Sequence, residues 1–219
     1  MRAIVFVNGM VENYERLGSW LCPDDLLVGA DGGTLHILAL GKRPHVVVGD
    51  LDSLPDYTVA ALESEGVQIE RHRPDKSQTD LELAIERALR EGADEILLLG
   101  ALGGRLDQTL ANLLILAQRE WSAPIRLAEG EQVAQVVRGG EQLTLHGQIG
   151  SIVSAIPLSP QVTGITYTGM RYPLQNATLS FGSTRGISNE IAGTPATIRI
   201  NSGLLLVVYH VDLIPDCGA

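Results

Sequence analysis

Aromatic side chains are scarce in this 219-residue chain, at 4% of positions, so a core has to be built from Leu, Ile, Val and Ala. Cysteine is scarcer still. Cys22 and Cys217 alone exclude a disulfide scaffold and a thiolate zinc site. We read both as unpaired thiols in a reducing cytosol. Basic residues are outnumbered, 16 against 26 acidic, and the net charge of −10 excludes the basic stripe that a nucleic-acid backbone requires. No apolar run approaches the roughly 18 to 20 residues of a membrane span, and the apolar start of the chain is too short for a signal peptide. The expectation is a cytoplasmic protein with no nucleic-acid or membrane partner. The chain also lacks a G-x-x-x-x-G-K-[ST] loop and a G-x-G-x-x-G fingerprint, which disfavours a P-loop or NAD site.

What is present is an ordinary folded composition, 45% hydrophobic and 19% charged, that changes character near residue 125. Before that point, short apolar runs at residues 3–8, 26–29, 46–49, 67–70 and 95–100 read as strands of a parallel sheet. Leu81, Ala84, Ile85 and Ala88 recur at helical spacing, as do Leu110, Leu113, Leu114 and Ala117. From residue 125, runs of Val, Ile, Thr and Leu are broken by Gly and Pro roughly every eight to twelve residues, the rhythm of an antiparallel sandwich. Acid is concentrated early: residues 1–138 hold 13 basic and 22 acidic side chains, residues 139–219 only 3 and 4. The predicted fold is α/β plus all-β. A Rossmann-like parallel α/β domain spans residues 1–124, and a small C-terminal antiparallel β-sandwich spans residues 125–219.

In open parallel sheets, ligands bind beyond the carboxyl ends of the strands. Four such ends run into acid-bearing loops: Ala30-Asp31-Gly32-Gly33, Asp50-Leu51-Asp52-Ser53, Asp75-Lys76-Ser77-Gln78-Thr79-Asp80, and Gly103-Gly104-Arg105-Leu106-Asp107-Gln108. Carboxylates gathered at one sheet edge repel unless a cation sits among them, and hard oxygen ligands suit Mg²⁺. Each loop also has a plainer reading. Asp50 and Asp52 are good turn residues. Asp80 belongs to two capping-box patterns, Ser77-x-x-Asp80 and Thr79-x-x-Glu82. Gly32, Gly33, Gly103 and Gly104 suit tight turns as well as close approach of backbone N–H groups to phosphate. Asp107 can cap a helix starting at Gln108. Arg105 is either a bidentate phosphate fork or a surface arginine.

Ala30-Asp31-Gly32-Gly33, Gly49-Asp50-Leu51-Asp52-Ser53, Thr79-Asp80-Leu81-Glu82 and Gly103-Gly104-Arg105-Leu106-Asp107-Gln108, in order and followed by Gly186-Ile187-Ser188-Asn189-Glu190, make the chain resemble the thiamine pyrophosphokinase family over essentially its full length. The resemblance implies Mg²⁺-dependent transfer of a pyrophosphoryl group from ATP to the hydroxyl of thiamine, giving thiamine diphosphate and AMP. It also implies a homodimer joined through the β domains, with thiamine in a cleft between subunits. By the same resemblance Asp50, Asp52 and Asp80 match the metal-binding acids. Asp31, Gly32, Gly33, Thr79, Gly104, Arg105 and Gln108 match the nucleotide site, and Tyr172, Ser188 and Asn189 the thiamine side. The chain departs from the family with Leu51 for a common Phe, Ser77 for a usual Asp, and Gln108 for a frequent His.

The chemistry assigns roles accordingly. Arg105 would stabilise phosphate charge, and Asp52 or Asp107 would take the proton of the thiamine alcohol. An acidic cleft and the face of Tyr172 would attract the cationic thiazolium. On residues alone, Tyr172 also reads as a half-buried strand aromatic, and Ser188-Asn189 as an ordinary turn. Two other functions stay open: a pyrophosphokinase acting on a pterin alcohol, and a thiamine- or nucleotide-binding module without catalysis, the latter motivated by Ser77.

Overall fold

The computed structural model describes residues 1–211 and divides into two compact units, the first built on Met1–Gly130 and the second opening at Glu131. The first unit contains β1 (Arg2–Phe6), β2 (Leu26–Ala30), β3 (Val46–Gly49), β4 (Gln68–Arg71), β5 (Glu95–Leu99) and β6 (Ile125–Glu129). Neighbouring strands run parallel in the order β6-β5-β1-β2-β3-β4. A parallel sheet covered on both faces needs continuous apolar strands. Residues 3–6, 46–48 and 96–99 meet that need and are essentially inaccessible. Each buried Val, Leu or Ile among them contributes about 1.5–3 kcal/mol. Successive strands step outward from β1 to β4, and the chain then returns to place β5 on the other side of β1. This reversal opens a crevice at the carboxyl ends of β1 and β5, the usual ligand position in such sheets.

Among the described residues five α-helices accompany these strands, α1 (Tyr14–Gly18), α2 (Thr34–Ala39), α3 (Asp56–Ser64), α4 (Asp80–Arg90) and α5 (Leu106–Gln118), with a 3-10 turn at Asp31–Gly33 leading into α2. The two with clear apolar periodicity are the ones expected. α4 buries Leu81, Leu83, Ala84, Ile85 and Ala88 and packs on β1, β2 and β3. Its N-cap is Thr79, whose Oγ1 accepts from the Glu82 backbone N–H at 3.2 Å, so the second of the two capping patterns is the one realised.

Several expectations need correction. The run at 125–129, expected to open the β domain, completes the parallel sheet as β6, with Ile96 opposite Ile125. The first unit therefore ends after Gly130 rather than at residue 124. A short apolar run has the same pattern whether its partner is parallel or antiparallel. Helix α5 starts at Leu106 with Arg105 at the N-cap, so Asp107 sits inside the first turn and is not the cap. Its charge still favours the positive end of the helix. Cys22 is disulfide-bonded and not a free thiol, while Cys217 lies outside the described residues.

The second unit is all β: β7 (Gln132–Arg138), β8 (Gln142–Leu145), β9 (Ile152–Pro157), β10 (Gln161–Thr168), β11 (Ala177–Ser180), β12 (Asn189–Glu190), β13 (Ala196–Arg199) and β14 (Leu204–His210). Two antiparallel sets form, ordered β12-β9-β14-β7 and β11-β10-β13-β8. Burial alternates along β9 and β13, as it does in sheets with one face against a core. Among the described residues no helix is long and apolar enough to cross a membrane.

Candidate functional site

A cavity of about 560 Å³ lies in the first unit, lined by the ends of β1, β2, β3 and β5 and by the approaches to α4 and α5. Its chemistry begins at the end of β2. Asp31 has φ 45, a left-handed conformation that Asp tolerates better than most residues. The two glycines after it are required by close packing. A Cβ on Gly32 would lie 2.4 Å from the Asn8 amide nitrogen, and one on Gly33 would lie 2.1 Å from the Phe6 carbonyl oxygen. Gly32 and Gly33, expected against the nucleotide, thus stand behind the cavity wall and let Asp31 approach the end of β1. Asp31 is 7% exposed, and its Oδ1 is buried with no hydrogen-bond partner among the described residues.

The turn after β3 supplies the next two acids. Leu51 is buried with Val47, Leu54, Val59, Leu62 and Val67, although its φ of 66 is costly for a branched side chain. Its burial anchors the turn, while Asp50 and Asp52 on either side line the cavity. Asp50 Oδ1 accepts from the Asp52 backbone N–H at 3.3 Å, and Asp52 Oδ1 accepts from Ser53 Oγ at 3.2 Å. One carboxylate oxygen from each of Asp31, Asp50 and Asp52 lies within 4.8 Å of the others.

Asp80, grouped with Asp50 and Asp52 on sequence, lies in the same cavity but is paired with Lys76. The three-oxygen group contains Asp31 in its place. Ser77, the departure from the family pattern, is exposed, while its neighbours Lys76 and Gln78 line the cavity with Thr79. Gly104, Arg105 and Gln108 line it as well. Arg105 and Asp107 form a two-pronged pair at 3.1 and 2.6 Å, both side chains largely exposed. The hydrogen bond from Arg105, with help from the Gln108 backbone N–H, holds the Asp107 carboxyl below the usual carboxylate range. The pair orients the Arg105 guanidinium at the edge of the cavity.

Sequence reasoning missed Asn8, Lys76, Gln78 and Asn112. Asn112 is buried and donates from Nδ2 to the Ala101 carbonyl at 2.7 Å, fixing the loop that carries Gly103 and Gly104. Its only signal was a polar residue within an apolar helical pattern. Lys76 stood inside a quoted motif, a lone cation in an acidic loop. His36 supports the opposite wall, donating from Nε2 to the Gly9 carbonyl (3.1 Å) while Nδ1 accepts from the Tyr14 hydroxyl (2.8 Å). Burial lowers its pKa, which keeps the ring neutral and this arrangement intact.

The three thiamine-side residues come together within the second unit. Asn189 is buried, accepts from the Tyr172 backbone N–H at 3.0 Å and donates to the Tyr172 carbonyl at 2.8 Å. This clasp fixes the Tyr172 backbone and leaves the residue 57% exposed, not half-buried in a strand. Arg171 lies 5.5 Å from the Tyr172 ring centroid and is paired with Glu190 at 2.7 Å. Ser188, at φ 57, donates its backbone N–H to Ser154 Oγ at 3.1 Å, so this turn is built by specific bonds.

The donor set in the first unit fits Mg²⁺. Three hard oxygens converge, and Asp31 Oδ1 is buried without a hydrogen-bond partner among the described residues, a condition that costs about 1–3 kcal/mol. An ion among them removes that cost and the mutual repulsion together.

Sheet order, crevice and acid cluster define the class: an α/β unit with an acid-lined cavity at its strand ends, joined to an all-β unit. Comparison with known proteins makes this specific. The family model "Thiamin pyrophosphokinase, catalytic domain" matches residues 19–127, and "Thiamin pyrophosphokinase, vitamin B1 binding domain" matches residues 142–205. The thiamine pyrophosphokinase of Bacillus subtilis is 32% identical over 85% of this chain and 88% of its own length. A crystal structure of thiamine pyrophosphokinase from the same organism superposes with a TM-score of 0.86 at 28% identity, covering 97% of this chain and all of that one. That of Geobacillus thermodenitrificans gives 0.81 at 33% identity, with both chains covered in full. The chain belongs to the thiamine pyrophosphokinase family, whose members are transferases that form thiamine diphosphate with ATP as donor.

Proposed function

We propose that the cavity of the first unit holds ATP and Mg²⁺, and that the protein transfers the pyrophosphoryl group of ATP to the hydroxyl of thiamine. The observation that carries this reading is the convergence of Asp31, Asp50 and Asp52, with Asp31 Oδ1 buried and unpartnered among the described residues. These three would hold the ion, with Asp80 at their border. Mg²⁺ bound there supplies charge neutralisation at phosphate oxygens, the main requirement of phosphoryl-type transfer.

The chain's own groups do the rest. Gly103 and Gly104, both with positive φ, bring bare backbone to the cavity, where N–H groups can meet phosphate. Arg105, oriented by Asp107, offers its guanidinium to phosphate oxygens, and Thr79 and Gln108 offer polar contacts along the wall. The alcohol oxygen of thiamine forms a bond to the β-phosphorus as the bond from that phosphorus to AMP breaks. Asp52, exposed and unencumbered by an arginine, receives the alcohol proton.

In the second unit, the exposed ring of Tyr172 offers a face to the thiazolium cation, with Asn189 and Ser188 fixing its backbone surroundings. A homodimer formed through this unit would cover exposed apolar side chains such as Phe181, Ile149 and Ile187. ATP supply favours a cytoplasmic setting. The test is incubation of purified protein with ATP, Mg²⁺ and thiamine, with chromatography of the products. AMP and thiamine diphosphate in equal amounts are expected. Release of ADP, or binding of thiamine without AMP release, refutes the reading.

A further inference from the structure

Four carboxylates line the cavity, those of Asp31, Asp50, Asp52 and Asp80, and the cationic side chains in its lining are Lys76 and Arg105. Arg105 is already doubly bonded to Asp107 and open to water. Lys76 differs. Its side chain is only 16% exposed, and its ammonium is paired with Asp80. Asp80 in turn borders the three-acid group. A Cβ placed on Gly49 would lie 2.9 Å from Asp31 Cβ and 3.2 Å from Asp80 Oδ1, so both acids crowd one glycine at the end of β3. The ammonium of Lys76 and a divalent cation therefore compete for one acidic edge.

We propose that Lys76 is the resident counter-cation of the metal-free site, and that it passes from Asp80 to the phosphate oxygens of the donor when a divalent cation occupies the carboxylates. The inference rests on the reading of this cavity as the ATP and Mg²⁺ site. An ammonium suits the task because it is a compact charge on a flexible four-carbon stem that re-aims without a fixed fork geometry. Lys76 is thus a positioning residue for the phosphate tail, and it also sets the affinity of the empty site for metal.

The consequence is a pair of effects with opposite signs. In Lys76→Met, which keeps the apolar stem, the acidic edge loses its internal cation. Mn²⁺ alone, titrated without nucleotide and followed by its paramagnetic resonance signal, should bind at least threefold more tightly than to wild type. A non-hydrolysable ATP analogue at saturating Mg²⁺, followed by calorimetry, should bind at least tenfold more weakly. Lys76→Arg should restore most of both, and Lys76→Gln, measured beside them, should repeat the methionine result. A residue that only braces the loop would weaken both ligands together. Weaker or unchanged Mn²⁺ binding in Lys76→Met and Lys76→Gln overturns the proposal, as does unchanged binding of the analogue. Wild-type protein that binds neither Mn²⁺ nor the analogue overturns the reading of the cavity itself, an outcome distinct from any pattern among the variants.

Discussion

Replacing Asp31 by Asn separates the stability of the site from its function. Asn preserves the shape of the side chain and tolerates φ 45, so the change removes one negative charge and little else. The buried polar position without a partner among the described residues is kept by the amide, so its cost cancels in the comparison. In metal-free protein that charge is unfavourable, because one oxygen of its carboxylate lies within 4.8 Å of carboxylate oxygens on both Asp50 and Asp52. At that separation each repulsion is about 3.5 kcal/mol for an effective dielectric of about 20, and about 1 kcal/mol in bulk water. Asp52 is exposed and Asp50 partly so, which puts the true figure near the lower end. Asp31→Asn should therefore stabilise the metal-free protein by about 1–2 kcal/mol, raising its melting midpoint by roughly 2–8 °C. Thermal melts in EDTA and in excess Mg²⁺ test this, alongside the thiamine diphosphate assay. The variant should melt higher than wild type in EDTA, gain little from Mg²⁺, and form product at least a hundredfold more slowly. A variant that melts lower than wild type in EDTA, or that keeps the full Mg²⁺ shift, would show that the cluster is not a frustrated cation site.

Two further outcomes follow from groups outside the acid cluster. Burial pushes the Glu70 carboxyl up, but hydrogen bonds from Arg87, His72 and Arg90 outweigh this and bring it down to about 2 from an ordinary 4.5. A depressed carboxylate adds stability that is complete above its unfolded value and lost as pH falls through the folded one. Urea titrations should show this loss between about pH 5 and pH 2, and Glu70→Gln should remove about 1–2 kcal/mol at pH 7 after allowance for solvent screening, with a flatter acid limb. An acid limb identical to wild type would refute the assignment. In the second unit, Asn189→Ala removes the clasp on the Tyr172 backbone and should raise the KM for thiamine at least tenfold while leaving that for ATP within twofold. Equal shifts in both would take the clasp out of the thiamine site.

The sheet was legible because its strands are covered on both faces and so read as unbroken apolar runs, such as Val46-Val47-Val48. The position of the site was legible for a related reason: a parallel sheet sends the loop after each strand to one edge, so acids following four strands must gather there. What remained hidden depends on side chains meeting across the fold. Asp80 and Asp31 are both acids in such loops, and only the structure shows that Asp80 is taken by Lys76 while Asp31 joins Asp50 and Asp52. Gly32 and Gly33 read equally as phosphate cradle or packing device, and the choice turns on Asn8 and Phe6, more than twenty residues away. Helices α1, α2 and α3 are too short, at 5, 6 and 9 residues, for apolar periodicity to declare itself. Strand β6 joined the wrong domain because pattern carries no information about the direction of a partner.

The arrangement keeps stability and chemistry one residue apart. Val48 is fully buried, Gly49 follows it, and Asp50 then faces the cavity; Ala30 is buried and Asp31 is next. At both points the backbone bends into a conformation that costs an L residue roughly 1–2 kcal/mol, at Asp31 and at Leu51. Burial of Leu51 among Val47, Leu54, Val59, Leu62 and Val67 offsets its share, since a fully buried leucine contributes about 1.5–3 kcal/mol. Among the described residues Asp31 has no such compensation. Its strain, its unpartnered oxygen and its charged neighbours all remain unrelieved in the metal-free protein, and one divalent cation would answer the last two together. A site held by a deep apolar sheet can remain strained in this way without unfolding, and on the proposed reading that unrelieved energy would become affinity for the ion.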